Sequence, residues 1–179
     1  MPKPYFENKE QKIKEIIMVD HAGEFGAQKI YEGQIRYSKN PNDKKLIQYM
    51  LEQELEHLDY FQNQIKEGLS RPTILMPLWS ILGYSLGAIS AKAGTKTSMM
   101  VTQSVEEIIV DHYEEQIEYL KTADPTNSLL KKIQKFKDDE AEHIHIAIDN
   151  NSKDAKFQKM LSSAVKMFCK SAIFLSKKM

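Results

Sequence analysis

The sequence predicts an all-α protein: a four-helix bundle with two additional helices, one of them hydrophobic and one amphipathic. Four long segments carry apolar side chains at the three- and four-residue spacing of an amphipathic helix. Short stretches rich in Pro, Asn, Asp and Gly separate these segments, as expected for turns. One arrangement of Glu and His also occurs twice along the chain, once in each half. Both halves therefore contribute the same set of polar side chains to the predicted bundle.

The repeated arrangement is a single glutamate followed in a later segment by Glu-x-x-His. The first copy comprises Glu24 and Glu54–His57, and the second comprises Glu106 and Glu140–His143. A Glu and a His three residues apart leave a helix from the same face. Two helices giving one Glu each and two giving Glu-x-x-His supply the ligands of ferritin-like di-iron carboxylate bundles. The order of the four motifs therefore predicts a ferritin-like bundle around two metal ions.

Turn residues set the predicted boundaries of the bundle helices. An irregular lead-in over residues 1–8 precedes the first helix, and Pro41 suits the opening of the second. The predicted bundle helices run from about Lys9 to Ser38, from Pro41 to about Glu67, from about Lys96 to Thr122, and through Leu129–Ala147 to a turn at 150–152.

The motif residues occupy positions that an amphipathic helix normally gives to the core. In the second helix the apolar face consists of Ile47, Met50, Glu54, His57 and Phe61. The last of the four bundle helices offers a rival pair, Glu142 and His145, which are also three residues apart. This pair shares a face with lysines and aspartates, so it is predicted to be solvated.

A hydrophobic segment separates the two halves. Residues 72–91 contain no charged side chain and could just span a bilayer by length. Pro77, Gly83, Gly87 and several hydroxyl groups dilute the apolar character, which favours a buried or interfacial helix over a transmembrane one. The last helix is predicted from Lys153 to the C-terminus with Ser152 as its N-cap, and it is amphipathic enough to cover the bundle or rest on a membrane.

Composition narrows the function classes. A chain of 179 residues is expected to form one domain, residues 1–179. The 25 basic and 25 acidic residues balance, and all but two of the basic residues are lysine, so a nucleic-acid partner is not expected. The single cysteine, Cys169, rules out cysteine-ligated metal clusters and is interpreted as a small buried side chain. No signal peptide is predicted, because no apolar stretch lies within the first twelve residues.

Buried carboxylates require compensating charge. An unpaired carboxylate in a protein core costs several kcal/mol, and neither arginine lies on the apolar face of a bundle helix. Two divalent cations would balance four glutamates, and the oxygen-rich set with two imidazoles suits Fe(II) or Mn(II). The alternative is that the glutamates are solvated surface residues. This is reasonable for any single glutamate, but not for all six positions, four glutamates and two histidines, together.

Other residues lie close to the predicted ligands. Tyr31 and Tyr113 follow Glu24 and Glu106 by seven residues, and they are interpreted as core residues hydrogen-bonded to a carboxylate or as tuning residues beside the metals. His112 could equally lie at the surface or beside the ligands. His21 has no counterpart in the second copy and is interpreted as structural.

The first helix also contains three glycines, Gly23, Gly26 and Gly33, on a face beside Glu24. Glycine in a helix interior costs up to about 1 kcal/mol relative to alanine. The glycines either allow close helix packing or leave a groove in which a flat ligand approaches the metals.

Several motifs together resemble the COQ7 family, the 5-demethoxyubiquinone hydroxylases of ubiquinone biosynthesis, from about residue 12 to the end. The matching segments are Asp20–Ala27, Glu54–His57, Met76–Trp79, Glu106–Glu107 with His112–Tyr113, Glu140–His143, and Ala172–Ser176. The resemblance implies a non-haem di-iron monooxygenase that uses O2 to hydroxylate the ring of a polyprenyl quinone precursor, with NADH as a possible reductant.

Carried over by position, the resemblance implies six iron ligands, and it places His112 and Tyr113 near the site. The implied ligands are Glu24, Glu54, His57, Glu106, Glu140 and His143. Residues 74–93 and the last helix are then expected to face the membrane and bind the prenyl tail. Peripheral membrane association is expected, as is a homo-oligomer or a complex of ubiquinone biosynthesis. Since no Arg-rich presequence is visible, the expected location is the cytoplasmic face of a bacterial inner membrane.

Two other functions share the same ligands. A ferritin-like protein that stores or oxidises iron would not account for the uncharged segment at 72–91. A di-iron quinol oxidase, which passes electrons to O2 without hydroxylation, fits the ligand spacing equally well.

Overall fold

A computed structural model describes residues 8–179, and this part of the chain is entirely helical, with no strand. The predicted all-α class is therefore confirmed. The six α-helices are α1 (Lys9–Tyr37), α2 (Pro41–Lys66), α3 (Met76–Ala93), α4 (Thr95–Ala123), α5 (Ser128–Asp149) and α6 (Gln158–Lys178). Of the predicted lead-in over residues 1–8, all but Asn8 lies outside the described residues.

Asparagine side chains cap three of the four bundle helices. Asn8 accepts a hydrogen bond from the backbone N–H of Glu10 at the start of α1 (3.1 Å). Asn40 and Asn127 do the same at the starts of α2 and α5. These caps satisfy N–H groups that the first helical turn leaves without a partner. Pro41 occupies the opening turn of α2, as predicted.

Apolar side chains pack in two layers, one on each side of the buried Glu and His residues. The first layer includes Ile17, Phe61, Tyr113, Ile133 and Phe136. The second layer includes Tyr31, Ile47, Met50, Met99 and Ala147. Along α1 and α5 the chain passes from the first layer to the second, whereas along α2 and α4 it passes the other way. Helices α1 and α5 therefore run opposite to α2 and α4, and α3 returns the chain along the bundle between the two halves.

Helix α3 packs against α1 through glycines. A Cβ atom at position 87 would lie 1.9 Å from the carbonyl oxygen of Ile30, and one at position 33 would lie 2.3 Å from that of Tyr84. Gly83 faces the carbonyl of Gly26 in the same way (2.8 Å). The Gly83–Gly87 pair therefore serves packing within this chain, and the packing interpretation of Gly33 is confirmed.

The outer face of α3 exposes large apolar side chains. Ile74, just before the helix, and Ile81 and Ile89 within it are each about two-thirds exposed, whereas Trp79 on the inner face is buried. No helix in the described part of the chain is long and apolar enough to cross a membrane. Whether α3 faces a membrane surface stays a prediction.

The predicted start of the last helix is wrong. Helix α6 begins at Gln158, and residues Ser152–Asp154 form a separate turn of 3-10 helix. Left-handed backbone conformations at Asn151 (φ 65°) and Phe157 (φ 58°) flank this connection. Ser152 does not cap α6, because its buried hydroxyl donates instead to Gln103 Oε1 on α4 (2.6 Å).

Replacement of Gly87 by alanine should destabilise the protein by about 2 kcal/mol or more, because the added methyl group would overlap the backbone of α1. Thermal and urea unfolding measure the change. Ser85→Ala, at an exposed position of the same helix, should stay within about 0.5 kcal/mol of the parent. Equal stability of the two variants would contradict the close contact between α1 and α3.

Candidate metal centre

The structure brings all six predicted ligands together between the two apolar layers. Each side chain is at most 1% exposed. Helix α1 contributes Glu24, α2 contributes Glu54 and His57, α4 contributes Glu106, and α5 contributes Glu140 and His143. Glu52 and Glu56 on α2 point to solvent, as do Glu142 and His145 of the rival pair on α5. Helical periodicity therefore distinguishes the buried from the exposed acidic side chains of α2 and α5 correctly.

The six side chains form two overlapping groups, each with three carboxylates and one imidazole. Glu24, Glu54, His57 and Glu140 form one group, and Glu54, Glu106, Glu140 and His143 form the other. Within each group the possible ligand atoms all lie within 4.8 Å of one another. Glu54 and Glu140 belong to both groups, so each could contribute to both metal sites.

Each imidazole directs Nδ1 toward the cluster. His57 Nδ1 lies 3.0 Å from Glu140 and 3.5 Å from Glu24. His143 Nδ1 lies 2.9 Å from Glu140 and 3.3 Å from Glu54. The Nδ1 atoms are thus the imidazole atoms available to a metal.

The outer nitrogen of each histidine contacts a polar residue of the opposite motif. His57 Nε2 lies 3.1 Å from Asp139 Oδ2 on α5, and His143 Nε2 lies 2.7 Å from Gln53 Oε1 on α2. A proton on Nε2 donated to these oxygens leaves Nδ1 free for a metal. Sequence reasoning missed Asp139 and Gln53. The signal was there, because each immediately precedes the first glutamate of a Glu-x-x-His motif.

The two tyrosines hydrogen-bond across the bundle. Tyr31 on α1 donates to Glu106 on α4 (2.6 Å), and Tyr113 on α4 donates to Glu24 on α1. Burial raises the pKa of both phenols well above the usual value, and nearby carboxylates add to the effect, so both remain donors. The predicted hydrogen bond from each tyrosine to a carboxylate is present. Each bond connects the tyrosine of one half of the chain to the single glutamate of the other half.

Without a metal, protons balance the charge of the cluster. Burial, followed by the charge of Glu140, raises the pKa of Glu106 to about 8 and that of Glu54 well above its usual range. Burial alone would lower the pKa of His57, but the neighbouring carboxylates of Glu140 and Glu24 raise it to about 12. Burial would likewise raise the pKa of Glu140, yet contacts with both histidines lower it to about 2.

Several buried atoms of the cluster have no hydrogen-bond partner in the described part of the chain. They are Glu24 Oε2, both carboxylate oxygens of Glu54, Glu106 Oε2, Glu140 Oε2 and His143 Nδ1. Although His143 Nδ1 and Glu140 Oε2 are only 2.9 Å apart, they are not aligned as donor and acceptor. Buried polar atoms are otherwise nearly always paired. The unpaired atoms are all potential ligands, so the donor set fits a pair of divalent metals.

His112 lies outside both groups. It is 12% exposed, and its Nε2 lies 3.8 Å from Asp20 Oδ1, which accepts a hydrogen bond from Gln116 (2.7 Å). Burial, together with the charges of Lys177 and Lys12, lowers the pKa of His112 to about 4. Roles of His112 and Tyr113 in catalysis stay predictions. His21 is buried and also lies outside both groups.

An apolar cavity lies beside the cluster, between α1, α3, α4 and α6. About 580 Å³ of its space is not filled by protein atoms, and part of this is open to solvent. Gly23 on α1 and Val105 on α4, the sequence neighbours of Glu24 and Glu106, line it. Cys169 also lines the cavity, and burial raises the pKa of its thiol to about 12.

The bundle and its buried carboxylate–histidine cluster define a class of helical proteins whose interior can hold two metal ions. Within this class, the chain belongs to the COQ7 family. The model of that family, described as ubiquinone biosynthesis protein COQ7, matches residues 11–176.

Several relatives match most of the chain. A Dictyostelium discoideum protein named NADPH-dependent 3-demethoxyubiquinone 3-hydroxylase, mitochondrial, is 46% identical over 94% of this chain and 78% of its own length. The human protein of the same name is 41% identical over 93% of this chain and 78% of its own length. A 3-demethoxyubiquinol 3-hydroxylase from Rhodospirillum rubrum is 36% identical over the same shares.

These relatives correct the predicted location. The cytoplasmic face of a bacterial inner membrane was expected because no presequence is visible. The Dictyostelium and human proteins, which are more similar to this chain than the Rhodospirillum protein, are both named mitochondrial, so the prediction is wrong. The physical reason is that an N-terminal address is independent of the fold, so the residues of the bundle carry no information about it.

Raising the pH from 7 to 9 should lower the free energy of unfolding of the metal-free protein by roughly 1 kcal/mol or more per pH unit. Glu106 (folded pKa about 8, ordinary value 4.5) and His57 (about 12 against 6.5) retain protons that the unfolded chain releases. Stabilisation from such groups is complete below the unfolded pKa and is lost as the pH rises through the folded one. Urea unfolding at pH 7, 8 and 9 measures the slope, and protein loaded anaerobically with Mn(II) should show a smaller one. If the free energy of unfolding of the metal-free protein did not change with pH, buried Glu106 and His57 would not retain these protons.

Asp139→Ala should weaken metal binding about 10- to 100-fold, because His57 loses the oxygen that orients its ring. Asp139→Asn retains an acceptor oxygen and should lose less. Competition with a chelator measures the affinity. Asp138→Ala, at the exposed neighbouring position, is the control, and equal affinity of the Asp138 and Asp139 variants would rule out the orienting role.

Proposed function

We propose that this protein uses O2 to hydroxylate the ring of a polyprenyl demethoxyubiquinone or demethoxyubiquinol at a di-iron centre. The observation that carries the proposal is the pair of overlapping ligand groups, buried beside an apolar cavity. Membership of the COQ7 family and the names of the relatives supply the substrate class.

Six side chains would hold the two irons: Glu24, Glu54, His57, Glu106, Glu140 and His143. Glu54 and Glu140 belong to both ligand groups, whereas each remaining glutamate belongs to one group together with one histidine. Iron bound there would supply the capacity to activate O2, which protein side chains lack.

The chain itself supplies orientation. Asp139 and Gln53 fix the two imidazole rings, while Tyr31 and Tyr113 hold one oxygen of Glu106 and Glu24 respectively. Each of these glutamates thus has its second oxygen without a protein partner. Carboxylates held in this way need little rearrangement when a metal binds.

The cavity supplies an apolar site for the ring and the first part of the prenyl tail. Its lining is almost wholly apolar, which disfavours water beside the reacting groups. Quinones react with thiolates, and Cys169 lies in the cavity wall. Because burial raises its pKa to about 12, the thiol stays protonated and unreactive toward the substrate.

Hydroxylation inserts one atom of O2 into a ring C–H bond, and the other leaves as water with two protons and two electrons. We propose a reduced nicotinamide nucleotide as the source of the electrons. NADH was the expectation, whereas the names of the Dictyostelium and human relatives specify NADPH. The chain contains no glycine-rich nucleotide motif, so the nucleotide would be bound in another way.

Membrane association and assembly are parts of the same proposal. The outer face of α3 and one face of α6 expose Ile81, Ile89, Met167 and Phe174, and lysines lie beside them on α6. Such a surface suits peripheral binding to a bilayer, from which a polyprenyl quinone would enter the cavity. The chain would act as a single domain, as a homo-oligomer or within a complex of ubiquinone biosynthesis.

Anaerobic reduction, followed by addition of ¹⁸O2 and a demethoxyubiquinone with a short tail, tests the reaction. Mass spectrometry should find one labelled oxygen atom in the ring. Oxidised quinone without an added oxygen would indicate a quinol oxidase, and iron oxidation in a cage-sized oligomer without any organic product would indicate iron storage.

Glu54→Ala should abolish both iron binding and turnover, because Glu54 belongs to both ligand groups. Glu24→Ala removes a ligand from one group only and should retain about one iron per chain. Iron content and labelled product are the measurements, with Glu52→Ala, an exposed position of the same helix, as the control. Full activity of the Glu54 variant would end the proposal.

A further inference from the structure

Five glycines lie within helices, and two of them are not required by packing. Gly33, Gly83 and Gly87 have backbone atoms so close that a Cβ would overlap them. Around Gly23 and Gly26, by contrast, a Cβ would meet nothing within 4 Å. Both of these residues lie in the middle of α1, where glycine is less favourable than alanine. The local structure alone therefore gives no reason for glycine at positions 23 and 26.

The space in front of these two glycines is the apolar cavity. Gly23 and Gly26 line it on the α1 side, and residues of α3, α4 and α6 line the rest. A methyl group at either position would extend into the cavity. Glycine keeps this wall flat, and the wall adjoins Glu24 of the metal centre. Few polar groups line the cavity, and Ser176 is the lining residue with a hydroxyl group.

Ser176 carries a buried hydroxyl donor. Its side chain lines the cavity, is 2% exposed, and accepts a hydrogen bond from Trp79 Nε1 (3.1 Å). Indole nitrogen can only donate, so the direction of this bond is fixed. In the described part of the chain the Ser176 hydroxyl donates no hydrogen bond, so its proton is available to a ligand. A buried donor in an apolar cavity indicates a ligand oxygen.

We propose that the substrate ring lies flat against the α1 backbone at Gly23 and Gly26 and that Ser176 donates a hydrogen bond to one ring oxygen. This inference rests on the proposed hydroxylase function, and it names the residues that select the ring. The glycines set the thickness and substituents that the cavity accepts, while Ser176 sets the orientation of the ring. Trp79 holds the serine oxygen in place.

Trp79 allows binding to be measured without turnover. It is the single tryptophan of the chain and lines the cavity, so a bound quinone should quench its fluorescence. The probe is a demethoxyubiquinone with a short isoprenoid tail, titrated anaerobically into the metal-loaded protein.

Gly23→Ala and Gly26→Ala should each raise the Tm by about 2 to 4 °C and weaken binding of the quinone about tenfold. Greater stability with weaker binding is the signature of space reserved for a ligand. Gly33→Ala is the contrast, and its Tm should fall because position 33 is packed against α3. A lower Tm for the Gly23 and Gly26 variants, or unchanged quinone affinity, would overturn the assignment of the glycines.

Ser176→Ala should weaken binding of the quinone about fivefold, as expected for one lost hydrogen bond. The corresponding arene without ring oxygens, measured by its displacement of the quinone, should bind the parent and the variant equally. Equal weakening of both probes would show that Ser176 acts only by positioning Trp79, and would overturn the proposed hydrogen bond.

The two proposals fail separately. Hydroxylated product from the parent protein without quenching of Trp79 would refute the cavity assignment and leave the hydroxylase function intact. Quenching that follows the expected pattern in the glycine and serine variants, without hydroxylated product, would refute the function and leave the quinone site.

Discussion

The structure depends on burying four carboxylates and two imidazoles in the apolar interior of a helical bundle. Isolated buried charges are unfavourable by several kcal/mol each, so the cluster requires either bound protons or metal cations. The metal-free electrostatics follow from this requirement, because Glu106 and His57 take up protons while Glu140 gives its proton up. Two metals would replace those protons, and the unpaired oxygens of Glu54 lie where both groups meet.

The two halves of the chain support each other across the bundle. Each histidine is oriented by a residue of the opposite motif, and each tyrosine holds the single glutamate of the opposite half. Neither half contains a complete ligand group, because Glu54 and Glu140, which belong to both groups, come from different halves. Both copies of the repeated arrangement are therefore needed to complete each ligand group.

Helix α1 serves two purposes on adjoining faces. One face carries Glu24 into the cluster, and the neighbouring face carries the small residues that contact α3 or border the cavity. The glycines of α1 therefore have two different roles. Gly33 permits close backbone contact with α3, whereas Gly23 and Gly26 leave space in the cavity. Only the three-dimensional surroundings distinguish the two cases, since the residue type is the same.

The sequence by itself determined the helical class, the six buried polar residues and the exposure of Glu142 and His145, because the faces of one helix follow from its own periodicity. It misplaced the start of α6, since the hydroxyl of Ser152 bonds to Gln103 on a distant helix instead of capping its own. Tertiary structure alone decided which glutamates are shared, which residues orient the histidines and which glycines face open space. Those features depend on distances between helices far apart in the chain, and periodicity along one helix contains no such distances.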